Sequence, residues 1–183
     1  MQAPFTLHEA IISRLNREAK LAAAGKQGRV IAKVNALTEP RTIQALYRAS
    51  QAGVEIDLIV RGICVLRPGI EGVSERIRVR SIVGRFLEHT RVFCFGNDGK
   101  PDIFCSSADW MDRNFFRRVE SAFPILNPVA RQRITDELNS YLRDNSQAWL
   151  LHSDGSYVRA QPQAGEEQFS AQQALLGQLR EDG

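Results

Sequence analysis

Residues 29–62 constrain the fold of this chain more than any other stretch. RVIAKVNAL (29–37) is an apolar-rich strand run ending at Asn35, and VEIDLIVRG (54–62) is a second run dense in β-branched residues. Between them, EPRTIQALYRASQAG (39–53) places Pro40 in the first turn of a helix and Gly53 just past its end. Strand, helix and strand in about thirty residues form a βαβ unit, whose two strands run parallel because the helix carries the chain back to its starting edge. Ligands of open α/β sheets gather beyond the carboxyl ends of such strands. Here those ends carry Asn35 on one strand and Arg61–Gly62 on the next.

The other elements follow from periodicity and punctuation. Leu7, Ile11, Ile12, Leu15 and Ala19 recur at helical spacing, with Thr6 and Glu9 as an expected capping box, Gly25 as the stop and His8 as a solvated first-turn residue. A loop with Pro68, Gly69 and Gly72 leads to a strand in IRVRSIVG (77–84). Arg76, Arg78 and Arg80 share one face there, either to track a polyanion or as the solvated side of an edge strand. TRVFCFGNDGKPDIFCSS (90–107) reads as a hairpin, and a short helical or irregular piece then precedes a strand at Val119–Ile125. Asn127 and Pro128 open a further helix. A terminal hairpin turns at Ser153-Asp154-Gly155, with Trp149 expected in the core and His152 near the turn. This gives a leading helix (1–26), a main unit (27–160), and a polar linker with a marginal tail helix (161–183).

At 183 residues, one domain suffices to bury roughly 70% of the unfolded surface without disulfide or metal. Cys64, Cys94 and Cys105 are odd in number and widely spaced, which fits reduced core thiols in a cytoplasmic protein. No apolar run reaches the ~20 residues of a membrane span, and MQAPFTLHEA lacks the layout of a signal peptide. Arginine outnumbers lysine twenty to four. A guanidinium grips phosphate or carboxylate with two bonds, although genomic composition accounts equally well for the excess.

The candidate chemistry lies in VRSIVGRFLEHTRVFCFG (79–96). His89 and Arg91 are two apart and share a side if the segment is a strand. An imidazole beside a guanidinium suits a phosphoryl group, the first donating to it or attacking it and the second offsetting its charge. Arg61 reaches the same crevice from its strand end. The plain alternative is a surface histidine among solvated arginines. Downstream, Ser106, Ser107 and Asp109 form a small-polar cluster over Trp110, with Arg113, Arg117 and Arg118 adding charge. The pattern is similar to a degenerate phospholipase D motif, His-x-Lys-x4-Asp with a later Gly-Ser-x-Asn. Arg91 replaces the lysine, SSAD replaces the second part, and no aspartate stands in register.

The longer stretches LIVRGICVLRPG, SIVGRFLEHTR and SSADWMDRNFFRRVE strongly resemble the C-terminal part of the long, histidine-phosphorylated bacterial polyphosphate kinases, over roughly residues 5–160. The resemblance implies an α/β, phospholipase D-like mixed sheet flanked by helices, in the second of two such domains that face each other around the site. It also implies reversible transfer of the terminal phosphate of ATP to inorganic polyphosphate, leaving ADP, through a phosphohistidine. His89 matches an auxiliary histidine near the nucleotide phosphates, acting in acid/base or electrostatic support, and Arg61 matches a nucleotide-binding arginine. Arg91 is added from spacing alone. The family's phosphorylated histidine, its magnesium-binding arginines and a nucleotide-contacting tyrosine belong to the preceding domain. His8 and His152 do not lie in the nucleophile's motif, so this chain alone is expected to be inactive. Mg2+ is expected to enter with ATP, without ligands from this chain, and the full enzyme is expected to be a homo-oligomer. The alternatives are a dimeric phospholipase D-like phosphodiesterase or nuclease, which needs lysine where Arg91 stands, and a non-catalytic polyanion- or nucleic-acid-binding module. No specific nucleic-acid partner and no membrane-spanning segment are expected.

Overall fold

The computed structural model describes residues 1–181; Asp182 and Gly183, the end of the expected tail, lie outside the described residues. In chain order the elements are β1 (Gln2–Ala3), α1 (Leu7–Ala23), β2 (Arg29–Val34), α2 (Pro40–Gln51), β3 (Glu55–Val60), β4 (Ile77–Ile82), β5 (Val92–Phe95), β6 (Asp102–Ser106), α3 (Asp112–Phe116), β7 (Glu120–Pro124), α4 (Pro128–Arg143), β8 (Ala148–Leu151), β9 (Tyr157–Arg159) and α5 (Ala171–Glu181). The strands form one mixed sheet in the order β1-β7-β6-β5-β2-β3-β4-β8-β9. Only β2, β3 and β4 are mutually parallel, and the remaining pairings are antiparallel.

Alternation along the central strands builds two cores. Val30, Ala32 and Val34 of β2, with Ile56, Leu58 and Val60 of β3, pack under Leu7, Ile11 and Leu15 of α1 and Ile43 and Leu46 of α2. The opposite face presents Ile31, Ile59, Ile82, Val92 and Cys94 to Leu138 and Tyr141 of α4 and Ala171 of α5. Among the described residues, no helix is long and apolar enough to cross a membrane.

Register decides what meets at the edge of the sheet. Val34 stands opposite Val60, so the carboxyl ends of β2 and β3 release Asn35 and Arg61 side by side. Lys33 stands opposite Val92 in the antiparallel β2–β5 pair, so the segment entering β5 arrives at that same end. Val92 in turn faces Cys105, which brings the exit of β6, and with it Asp109, to the same place.

Several local expectations change. The Thr6–Glu9 capping box does not form: Thr6 Oγ1 accepts from Gln2 N at 3.1 Å, and Glu9 pairs with Arg41 at 2.9 Å. His8 is buried, not solvated, with Nε2 2.9 Å from Glu39 Oε2. It lies one helical turn before Ile12, on the stripe that faces the core. Glu39 is the N-cap of α2, accepting from Arg41 N and Thr42 N. Burial alone would raise its pKa, but bonds from Thr42, Arg41 and His8 bring it below the usual value. Trp149, expected in the core, is 37% exposed, on β8 beside the edge strand β9. The expected tail helix forms as α5, and Ala171 at its start is fully buried.

Candidate functional site

The two central strand ends are joined by hydrogen bonds. Arg61 Nε donates to Asn35 Oδ1 at 3.1 Å, and Gly62 N donates to Asn35 O at 2.8 Å. Asn35 N donates to Asp109 Oδ1 at 2.7 Å. Asp109 also accepts Arg91 Nε and Nη2, both at 3.2 Å, in a two-pronged ion pair. Arg91 Nη1 donates to the carbonyl of His89 at 3.0 Å. The same nitrogen lies 3.2 and 3.4 Å from the two ring nitrogens of His89. His89 itself is exposed, so its ring is reachable by a ligand from the solvent side. One continuous chain of contacts therefore runs Arg61–Asn35–Asp109–Arg91–His89, and it unites the three residues singled out by sequence.

Their surroundings differ. Strand β5 begins only at Val92, so His89 and Arg91 sit in an irregular segment and meet through the guanidinium, not through strand alternation. Arg91 is committed to Asp109, a buried residue 5% exposed. Arg61 uses only Nε, and no hydrogen bond or ion pair engages its terminal nitrogens among the described residues. Asn35 Nδ2 is buried and likewise has no protein partner. Arg61 also borders a shallow hollow shared with Gly62, Ser81, Val83, Trp149 and Tyr157.

Sequence reasoning missed a second cluster behind His89. Lys33, 2% exposed, points its Nζ to Glu88 Oε2 at 3.0 Å, to Thr90, and over the ring of Tyr141. Burial holds its pKa below the usual lysine value although Glu88 pulls upward. Burial and the neighbouring Glu88 push the Tyr141 phenol well above its ordinary range. A lone lysine inside an apolar central strand was the available signal, since such a charge requires a partner.

The serines at the exit of β6 and the arginines at β4 are spent on structure. Ser106 Oγ donates to Ser121 O at 2.9 Å, and Ser107 Oγ donates to Glu120. Arg76 and Arg78 pair with Glu55, Arg78 also pairs with Asp57, and Arg80 donates to the carbonyl of Leu142 at 2.6 Å. Trp110 is fully buried against Phe93, as expected. The three cysteines are free thiols, and burial pushes Cys94 up to about 11. Among the described residues, no three His, Cys, Asp or Glu side chains gather as a metal site.

The sequence profile of the family described as "Polyphosphate kinase C-terminal domain 2" matches residues 1–172. The chain belongs to that family. The polyphosphate kinases of Xylella fastidiosa (strain 9a5c) and Neisseria gonorrhoeae (strain ATCC 700825 / FA 1090) are each 58% identical over 98% of this chain and 26% of their own length. The crystal structure of polyphosphate kinase from Porphyromonas gingivalis superposes with a TM-score of 0.95 at 42% identity, covering all of this chain and 28% of that one. This polyphosphate kinase C-terminal domain therefore spans about a quarter of the relatives it matches. The phospholipase D family member Nuc from Salmonella typhimurium aligns at a TM-score of 0.55 and 14% identity over 87% of this chain, a likeness of fold alone. The α/β, phospholipase D-like fold expected from sequence is the one found.

Proposed function

We propose that this domain supplies a nucleotide- and phosphate-binding wall of a polyphosphate kinase, which transfers the terminal phosphate of ATP reversibly to polyphosphate. The observation that carries the reading is the convergence of Arg61 and His89 at one sheet end, with the terminal nitrogens of Arg61 and the buried Nδ2 of Asn35 uncommitted. Phosphoryl transfer demands little covalent chemistry from the protein; it needs positioned donors around oxygens that gather charge. Arg61 offers the remaining prongs of its guanidinium to two phosphate oxygens. His89, held by Arg91, donates a proton or a hydrogen bond to a bridging or terminal oxygen. Asp109 neutralises Arg91, so that guanidinium orients the histidine and contributes charge at one remove.

The phosphorylated histidine and the rest of the site belong to the preceding domains of the longer protein. Ile63, Val65, Val83 and Leu87, exposed near the carboxyl ends of β3 and β4, form an apolar rim for those domains to cover. The nearby carboxylates, Asp109 and Glu88, are each already paired with a cation, so magnesium enters bound to the phosphates of ATP. Homo-oligomeric assembly and a cytoplasmic location complete the reading. Arg76 and Arg78 pair with carboxylates and Arg80 with backbone carbonyls, which weighs against a diffuse polyanion-binding module.

Steady-state kinetics of the full-length enzyme test it. Arg61→Ala is expected to raise KM for ATP about tenfold or more, and His89→Ala to lower kcat about a hundredfold. Unchanged constants in both variants would overturn the assignment.

A further inference from the structure

Segment 83–90, which carries His89, belongs to no strand or helix, and most of its side chains face solvent. A histidine that must meet a phosphate within a few tenths of an ångström needs that backbone fixed. Gln172 of α5, remote in sequence and 5% exposed, fixes it. Its Nε2 donates to Phe86 O at 2.8 Å and to Glu88 Oε1 at 2.7 Å, while its Oε1 accepts from Phe86 N at 3.0 Å. The amide thus spends both donor hydrogens and one acceptor site on two residues, Phe86 and Glu88, the second adjoining His89. Glu88 passes the hold inward, since its second oxygen takes the ammonium of Lys33.

The helix that bears Gln172 is itself anchored. Asp144 Oδ2 accepts from Ala171 N at 2.8 Å, and Ser170 Oγ donates to Gln147 Oε1 at 3.0 Å. Gly84 is shaped for the arrangement, because a Cβ there would collide with the side-chain oxygens of both Gln172 and Gln147. We infer that Gln172 is a positioning residue for His89, the C-terminal helix acting as a strap across the segment that carries the histidine. The functional consequence rests on the phosphate-handling role proposed for His89; the positioning itself does not.

The test uses the 183-residue chain with Gln172→Ala, Gln172→Glu and, leaving Gln172 in place, Gly84→Ala. Gln172→Glu keeps the shape but sets a carboxylate against Glu88. Amide exchange at 85–90 and the imidazole resonances of His89 are recorded beside the thermal midpoint and calorimetric titration with Mg–ATP. Exchange is expected to accelerate at least tenfold in that segment only, the His89 resonances to shift in all three variants, and Mg–ATP affinity to fall about tenfold. A lowered thermal midpoint with unaltered exchange and His89 resonances would reduce α5 to a structural tail and overturn the inference. If the parent chain does not bind Mg–ATP, the resonances and exchange still decide the positioning, and the failure falls on the phosphate-handling reading.

Discussion

Asp109 accepts from Asn35 N and from two nitrogens of Arg91, so one buried carboxylate fixes both a strand end and the cation that holds His89. Asp109→Ala would leave Arg91 half-buried without its counter-charge. A loss of about 3 kcal/mol is expected in denaturant unfolding, and a smaller one for Asp109→Asn, which keeps an acceptor. Equal stability of all three proteins would remove Asp109 from the centre of the site. Asp57 shows a second carboxylate at work: burial raises its pKa, but Arg78 and Arg29 outweigh that and hold it below 3.8. Because the folded value is the depressed one, its stabilisation is complete above pH 3.8 and is lost as pH falls through the folded value. Asp57→Asn is expected to cost about 2 kcal/mol at neutral pH and to flatten the acid limb of the stability curve; an acid limb as steep as the parent's would contradict this. At this scale the sequence pointed to Arg61 and His89 as candidates, because strand ends and an imidazole among arginines are local signals. Asp109 as a keystone, Lys33 with Glu88, and the buried His8 were hidden, since each depends on a partner many positions away.

Elements were legible where the period was strong. The βαβ unit, the β5–β6 hairpin and the α4 start at Asn127–Pro128 all stand where apolar spacing and turn residues placed them. Caps and ends were less legible. Thr6 carries a capping pattern, yet Gln2 and Arg41 compete for its two members, and tertiary partners win over local ones. The tail helix looked marginal because its docking partners, Asp144 and the Phe86–Glu88 segment, are distant in sequence. The β2 and β3 exits meet closely enough that a Cβ on Gly62 would lie 2.9 Å from the Asn35 carbonyl oxygen. Gly62→Ala is therefore expected to part the two strand ends, seen as shifted Asn35 and Arg61 amide resonances and a lower thermal midpoint. Resonances identical to the parent's would show that the approach does not matter.

For the whole molecule, the sheet order explains why the candidate residues gather at one end: parallel β2 and β3 exit there, antiparallel β5 enters there and β6 leaves there. Patterns of period two and 3.6 specify such elements but not their order, which long-range pairing decides. The resemblance to polyphosphate kinases supplied the mixed-sheet fold class that periodicity lacked, while the strand order emerges only in the structure. The most direct test of the account is calorimetric titration of the chain with Mg–ATP and with polyphosphate at low and high salt, beside Arg61→Ala and His89→Ala. Saturable binding that survives salt and is lost in both variants is the expected result. Binding that is equal in all three proteins and fades with salt would show a diffuse basic surface instead of a built site, and would contradict the account.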